Sequence, residues 1–199
     1  MSKIIKTSLF FALILFLVGG YYFYNLQNKK NYVTVSEAPR GGDFQLNSLQ
    51  GPFKLSDLKG KLVVLYFGFT ACPDVCPTTL AHLKQAFEKL IPQELEKVQA
   101  LFIAVDPERD NLQRLQEYVS YFHPQITPLH GSIDEIKKVA MLYGATFTKI
   151  ELDSAMEYTL DHTASLFVID PQGIWTDTIP HGTSPEEIAL TLKKNLHKE

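Results

Sequence analysis

The only two cysteines of the chain, Cys72 and Cys76, lie four positions apart in the stretch FGFTACPDVCPTTL (67–80). Two thiols this close could form a redox pair, hold a metal ion or close a small structural disulfide. Redox pairs usually have two residues between the cysteines, whereas three residues separate this pair. The wider loop lets both sulfurs converge on one metal ion, which favours a metal site, but a disulfide across it is still allowed.

A soft metal ion held by two thiolates needs a further donor, and imidazole is suitable. Five of the six histidines lie in predicted helices, at helix ends or before glycines in turns: His82, His123, His130, His181 and His197. His162 differs because it lies in LDHTAS (160–165), directly before a predicted strand. It is the best candidate for the third donor. Asp74 and Asp161 could orient the imidazole or tune the thiolates, or simply face solvent.

The elements on either side of the cysteines are predicted to position them. The apolar run 62–67 is typical of a buried strand, and 78–90 has the periodicity of a helix with one apolar face. Pro77 suits the first helical position, which makes Cys76 the predicted N-cap. Both thiols would then lie near a helix N-terminus, where the dipole and the free N–H groups favour thiolate.

The rest of the chain alternates strand and helix patterns. These are, in chain order, an early hairpin over 45–55, a buried strand over 98–105, helices over 110–122 and 132–143, a short strand over 147–150, a hairpin over 165–179 and a helix from 184 onward. Asp110, Ser132 and Ser184 are the predicted N-caps of the helices. Strands joined by helices indicate a parallel core, and the late hairpin adds an antiparallel edge. We therefore predict an α/β, thioredoxin-like fold with an N-terminal β-hairpin extension.

The N-terminal segment differs in composition from the rest. Residues 7–24 carry no charge and would span about 27 Å as a helix, close to the roughly 30 Å hydrocarbon core of a bilayer. We predict a short cytoplasmic tail over 1–6, a single transmembrane helix over 7–24, a linker over 25–40 and the thioredoxin-like domain over 41–199. The alternative for the apolar segment is a cleaved signal peptide.

The net charge of the chain limits the classes of partner that it can bind. The formal net charge of −3 becomes −5 once Lys3 and Lys6 of the predicted tail are set aside. A nucleic-acid partner would require a basic face, so none is predicted. In an exported domain, a close cysteine pair would be oxidised unless a reductant keeps it reduced.

Three motifs occur together in this chain: FGFTACPDVCPTTL (67–80), VDPERD (105–110) and DHTASLFVIDPQG (161–173). In this combination and order they resemble the Sco/SenC family of membrane-anchored, thioredoxin-like copper proteins. The similarity covers roughly residues 38–195.

The resemblance implies that Cys72, Cys76 and His162 bind one copper ion, as Cu(I) or Cu(II). It implies a metallochaperone rather than an enzyme, which assists assembly of the CuA centre in cytochrome c oxidase subunit II. The expected location is the bacterial inner membrane with the domain in the periplasm, or the mitochondrial inner membrane in a eukaryote.

Copper transfer by ligand exchange requires reduced cysteines. The expected partners therefore include a periplasmic thiol reductase and a copper donor, besides subunit II and the membrane. The alternative is a thiol-disulfide oxidoreductase in which Cys72 and Cys76 are a redox-active pair that keeps the subunit II cysteines reduced. A third class, an exported binding module with a structural disulfide, would not need His162.

Overall fold

The computed structural model describes residues 18–21 and 41–197. The chain divides into two units, Met1–Ala38 and Pro39–Glu199. In the first unit only a short helical segment at 18–21 is described.

The predicted tail (1–6), anchor (7–24) and linker (25–40) lie outside the described residues, apart from the four at 18–21. Among all the residues that the structure describes, no helix is both long enough and apolar enough to cross a bilayer.

The second unit contains nine described strands and five described α-helices. The strands are β1 (Gln45–Ser48), β2 (Gly51–Lys54), β3 (Leu62–Gly68), β4 (Val98–Ala104), β5 (Ile126–Leu129), β6 (Phe147–Glu151), β7 (Tyr158–His162), β8 (Leu166–Ile169) and β9 (Trp175–Ile179). The helices are α1 (Val75–Phe87), α2 (Pro92–Leu95), α3 (Leu112–Ser120), α4 (Ile133–Leu142) and α5 (Pro185–Leu196), and a 3-10 turn covers Leu55–Leu58.

Five strands form a mixed central sheet in the order β5-β4-β3-β8-β9. β3 is parallel to β4 and β4 to β5, whereas β8 is antiparallel to both β3 and β9. All seven residues of β3 and all seven of β4 are buried, as expected of predominantly apolar strands at inner positions of a sheet. The prediction of a parallel core with an antiparallel edge is confirmed.

The register of the sheet determines where the functional segments meet. Tyr66 near the end of β3 lies opposite Leu166 at the start of β8. The chain that leaves β3 towards the cysteines and the chain that arrives at β8 from His162 therefore lie at the same edge of the sheet. This is the carboxyl edge of the parallel strands, where ligands of α/β proteins commonly bind.

Two small hairpins lie outside the central sheet. The predicted early hairpin is β1–β2, and backbone hydrogen bonds of 2.8 and 2.9 Å between Asn47 and His130 connect it to the residue that follows β5. β6 and β7 form the second hairpin, in which Phe147 lies opposite His162. The sequence predicted a short strand at 147–150 but left His162 on a loop, whereas it is the last residue of β7.

The start of α1 differs from the prediction. The helix begins at Val75 after the N-cap residue Asp74, so Cys76 is the second helical residue and not the N-cap. Pro77 is the third helical residue, a position that tolerates proline because the first N–H groups of a helix have no intrahelical acceptor. The thiol of Cys76 is still in the first turn, and its side chain is fully buried.

Besides Cys76 at α1, three N-caps were predicted, and two of these are confirmed while the third is wrong. Ser132 and Ser184 each accept a hydrogen bond from the backbone N–H three residues on, in capping boxes that open α4 and α5. At α3 the cap is Asn111, which accepts from Arg114 N at 2.9 Å. Asp110 cannot cap this helix because its carboxylate is fully buried and bonds to Thr70 instead.

Candidate metal centre

Three side chains that can bind a metal ion converge at the carboxyl edge of the sheet. The ligand atoms of Cys72, Cys76 and His162 all lie within 4.8 Å of one another. His162 Nε2 is 3.4 Å from Cys76 Sγ, and the backbone N–H of Cys76 donates to Cys72 Sγ at 3.4 Å. The structure thus brings together the three residues that the sequence singled out as ligands.

The imidazole of His162 is oriented by its own strand end and by two aromatic rings. Its Nδ1 lies 3.2 Å from the carbonyl oxygen of Thr163, an acceptor, so Nδ1 carries a proton and Nε2 is the nitrogen turned towards the cysteines. The rings of Phe69 and Tyr66 stand edge-on to the imidazole, with centroids 5.6 and 6.1 Å away. The orienting carbonyl belongs to Thr163, whereas Asp161, predicted as a candidate for this role, is exposed.

The two cysteines have unequal environments. Cys72 is half-buried and Cys76 is fully buried. The Cys72 sulfur accepts a hydrogen bond from the Cys76 thiol, which holds the pKa of Cys72 well below its usual value despite partial burial. The same bond, together with burial, raises the pKa of Cys76. Of the two thiols in the metal-free pair, Cys72 is therefore the one that loses its proton first.

The turn between β4 and α3 holds the cysteine loop from one side. Asp110 accepts hydrogen bonds from the backbone N–H of Thr70, at 2.9 Å, and from the Thr70 hydroxyl, at 2.5 Å. Arg114 lies over the same contact and donates to the Thr70 hydroxyl at 2.8 Å. Burial raises the pKa of Asp110, since the bonds from Thr70 offset only part of its desolvation. The loop that leads to Cys72 is thus fixed two residues before the cysteine.

The same turn holds the β6–β7 hairpin from the other side. Arg109 forms an ion pair with Asp106, donates to the backbone carbonyl of Tyr158 at 3.1 Å and stacks on the Tyr158 ring at 3.7 Å. The Tyr158 hydroxyl donates to Asp106 at 2.8 Å. Because Tyr158 begins the strand that ends at His162, this contact fixes the strand that carries the imidazole. The motif VDPERD, of which the sequence predicted only a turn and a helix cap, therefore positions both halves of the centre.

A cavity of about 380 Å³ opens onto the centre. Its lining includes Cys72, His162 and Ala164, and also His181, which sequence reasoning had placed in an unrelated turn. No pattern near His181 indicates this position, because it depends on how the turn after β9 packs against α1.

Buried phenols lie behind the cysteines. Tyr66 is 1% exposed, and its hydroxyl lies beside the Cys76 side chain. Among the residues described by the structure, no atom forms a hydrogen bond with the hydroxyls of Tyr66 or Tyr118. Burial raises the pKa of both phenols, so both hydroxyls keep their protons and can still donate a hydrogen bond.

Fold and site together define the class of protein: an α/β protein with a Cys–Cys–His cluster at the carboxyl edge of its parallel strands. The sequence matches the SCO1/SenC family model over residues 34–197, and the chain belongs to that family.

Individual relatives agree with this assignment. The chain is 36% identical over 157 residues to the mitochondrial SCO2 homologue of Bos taurus, a match that covers 78% of this chain and 59% of that protein. The chain thus spans about three fifths of the length of the curated relatives it matches.

Solved structures are similar throughout the described domain. Bradyrhizobium japonicum ScoI with copper bound is 38% identical with a TM-score of 0.70, covering 78% of this chain and 99% of that one. Apo Sco1 from Thermus thermophilus is 39% identical with a TM-score of 0.72, covering 81% and 94%. These structures confirm the predicted thioredoxin-like α/β fold.

Proposed function

We propose that this chain is a copper-binding protein of cytochrome c oxidase assembly that holds one copper ion through Cys72 Sγ, Cys76 Sγ and His162 Nε2. The observation that carries the proposal is the convergence of these three atoms within 4.8 Å. The copper-bound structure of the similar Bradyrhizobium ScoI supports copper as the ion.

The donor set fits copper on chemical grounds. Two sulfurs and one imidazole form a soft, three-membered site suited to Cu(I), and a solvent molecule could complete the coordination of Cu(II). A structural zinc site would require four strong protein ligands, and the cluster found among the described residues has three.

The buried Tyr66 hydroxyl also fits a site that loses a proton on binding. The contact with Cys72, together with burial, raises the pKa of the neighbouring Cys76, and a metal ligand must be a thiolate. Once Cys76 is a thiolate, its sulfur becomes an acceptor for the otherwise unpaired Tyr66 O–H. Metal binding would thus give a hydrogen-bond partner to a buried hydroxyl that costs free energy while it has none.

The finer function is delivery of copper to the CuA centre of cytochrome c oxidase subunit II. In ligand exchange, thiolates of the acceptor replace Cys72, Cys76 and His162 one at a time, so that copper is never free. The chain would be anchored by residues 7–24 in the bacterial inner membrane, or the mitochondrial one, with its domain outside the cytoplasm or matrix. A copper donor and a thiol reductase would act before each transfer.

A competition titration tests the metal site. Cu(I) is titrated into the reduced full chain against a strong chelator, in parallel with His162→Ala and with His197→Ala, which removes a 70% exposed imidazole beside Glu94. We expect one copper per chain, a Kd raised at least about tenfold, or 1.4 kcal/mol, by His162→Ala, and no change in the control. Binding that is indifferent to His162 would contradict the proposal.

A second function, thiol-disulfide exchange, is favoured by one observation. Cys72 is half-buried, faces the cavity and has a lowered pKa, as the attacking thiol of an exchange reaction does. In that case, Cys72→Ser would abolish reduction of a disulfide in a subunit II peptide, and His162→Ala would leave the rate of reduction intact. The two functions therefore differ in their dependence on His162.

A further inference from the structure

His181 lines the same cavity as Cys72 and His162 but belongs to a different segment, the turn between β9 and α5. It is not a member of the Cys–Cys–His cluster, whose ligand atoms all lie within 4.8 Å of one another. A second imidazole therefore lines the cavity that opens onto the cluster.

The hydrogen bonds of His181 fix which of its nitrogens is free. Its Nδ1 lies 2.8 Å from the hydroxyl oxygen of Thr79. That hydroxyl also lies 2.8 Å from the carbonyl oxygen of Val75, an acceptor to which it donates its only proton. Nδ1 of His181 must then be the donor in its own bond to Thr79. In the neutral ring Nε2 then has no proton, and its lone pair is available to a metal ion.

The turn that carries His181 is held at a second point. Nδ1 of His82 lies 3.0 Å from the carbonyl oxygen of Thr183, so His82 donates to it. Thr79 and His82 are three residues apart in α1 and hence share one face of the helix. Two bonds to one rigid helix, which also contributes Cys76, hold this turn in place relative to the metal centre.

We propose that His181 is an auxiliary copper ligand, whose Nε2 binds the ion transiently while it enters or leaves the Cys72–Cys76–His162 cluster. This inference rests on the proposed copper function. While the resident ligands are replaced one at a time, the ion can lose one of them before the next ligand of the acceptor binds. A neutral imidazole in the cavity wall can occupy the vacant position at that stage, and the oxidation state of copper does not change.

Transfer kinetics separate this role from that of a resident ligand. The full chain is loaded with Cu(I), and the appearance of the coloured complex with an excess of a bidentate nitrogen chelator is followed by stopped flow. We expect His181→Asn and His181→Ala to slow transfer about tenfold while leaving the equilibrium Kd within about twofold. His197→Asn, the matched loss of an exposed imidazole, should change neither quantity.

The asparagine variant distinguishes a ligand from a structural residue. Its amide N–H can replace the Nδ1–H bond to Thr79 but offers no counterpart of Nε2. A normal transfer rate in His181→Asn would overturn the proposal. So would a Kd raised as far as by His162→Ala, because His181 would then be a resident ligand. If the unmodified chain binds no Cu(I), the copper function itself fails along with this inference. Normal binding with unaltered transfer in both variants refutes the inference alone.

A measurement without copper tests the hydrogen-bond argument. Two-bond ¹H–¹⁵N correlation spectra of the metal-free chain report which ring nitrogen of each histidine carries the proton. The structure requires the Nδ1–H form at His181, and the Nε2–H form would overturn the proposal because the cavity would then face a donor.

Discussion

The two hairpins outside the central sheet are attached to it by different forces. β1–β2 inserts Leu46, 2% exposed, into the core and pairs its backbone with the segment that follows β5. Half of the strand residues of β6–β7 are exposed, and Phe147 and Leu160 pack against the core. The ion pair, hydrogen bonds and stacking around Arg109 and Tyr158 fix this hairpin from the side of the β4–α3 turn. One hairpin seals the core, whereas the other holds His162 against the cysteines.

This difference separates stability from positioning. Buried apolar area contributes to the free energy of unfolding wherever it lies, whereas a directional polar contact contributes less but fixes an orientation. We therefore expect changes in the first hairpin to act on folding and changes around the second to act on the metal centre.

The largest effect is expected from Leu46→Ala. Removal of a buried leucine side chain should lower the free energy of unfolding by about 2–5 kcal/mol. Urea denaturation measures this loss, and a Cu(I) titration under native conditions should give an unchanged Kd for the folded protein. A raised Kd would show that the first hairpin also acts on the metal centre, against the separate roles expected of the two hairpins.

A smaller loss of stability but a clear loss of copper affinity is expected from Arg109→Met. The Asp106 carboxylate, on a residue 3% exposed, would lose its cation, at a cost of about 1–3 kcal/mol. The β6–β7 hairpin would lose its stacking contact, so its amide protons should exchange faster and the Kd for Cu(I) should rise severalfold. Residue-resolved hydrogen exchange measures this effect. If the amide protons of β1–β2 exchanged faster to the same extent, the effect would not be local.

Asp110→Asn tests the contact to the cysteine loop through its pH dependence. Burial raises the pKa of Asp110 in the folded state above 3.8, so protonation favours the fold. This stabilisation is present below the unfolded pKa and is lost as the pH rises through the folded pKa. The difference in unfolding free energy, unmodified minus variant, should thus fall across that window. Urea melts of both proteins at several pH values measure it, and an increase with pH would show that the sign is wrong.

The smallest effect is expected from Lys149→Met. Lys149 also lies over the Tyr158 ring, at 3.8 Å, but its side chain is 46% exposed and its contacts with Glu108 and Glu151 are long. The change should cost less than about 1 kcal/mol and leave the Kd for Cu(I) unaltered. As the companion of Arg109→Met, it shows whether the position of the β6–β7 hairpin depends on the half-buried Arg109 or on either cation that contacts the Tyr158 ring.

The parts of the fold that sequence predicted are those with strong local signals. Neighbouring residues alone determine the structure in two cases: the apolar runs of β3 and β4, and the capping boxes at Ser132 and Ser184. β5 was missed because its four residues include Pro128, which an edge strand tolerates. β7 was missed because its mixed, half-exposed residues gain strand structure only by pairing with β6.

The candidate site shows the same division. Cys72, Cys76 and His162 stand in motifs that sequence can recognise, and the structure brings them together. The contacts of Asp110 with Thr70 and of Arg109 with Tyr158 join residues 40 and 49 positions apart, and that of His181 with Thr79 joins residues 102 apart. No local pattern reports such pairs, so the residues that support the centre could be identified only from the fold.

The unequal burial of Cys72 and Cys76 makes the pair a built-in reporter of the state of the chain. A bulky alkylating reagent can reach the partly exposed Cys72 thiolate in the native protein, whereas the fully buried Cys76 becomes reachable only when α1 separates from the sheet. The number of labels per molecule, one or two by mass, therefore distinguishes folded from opened chains without any engineered probe.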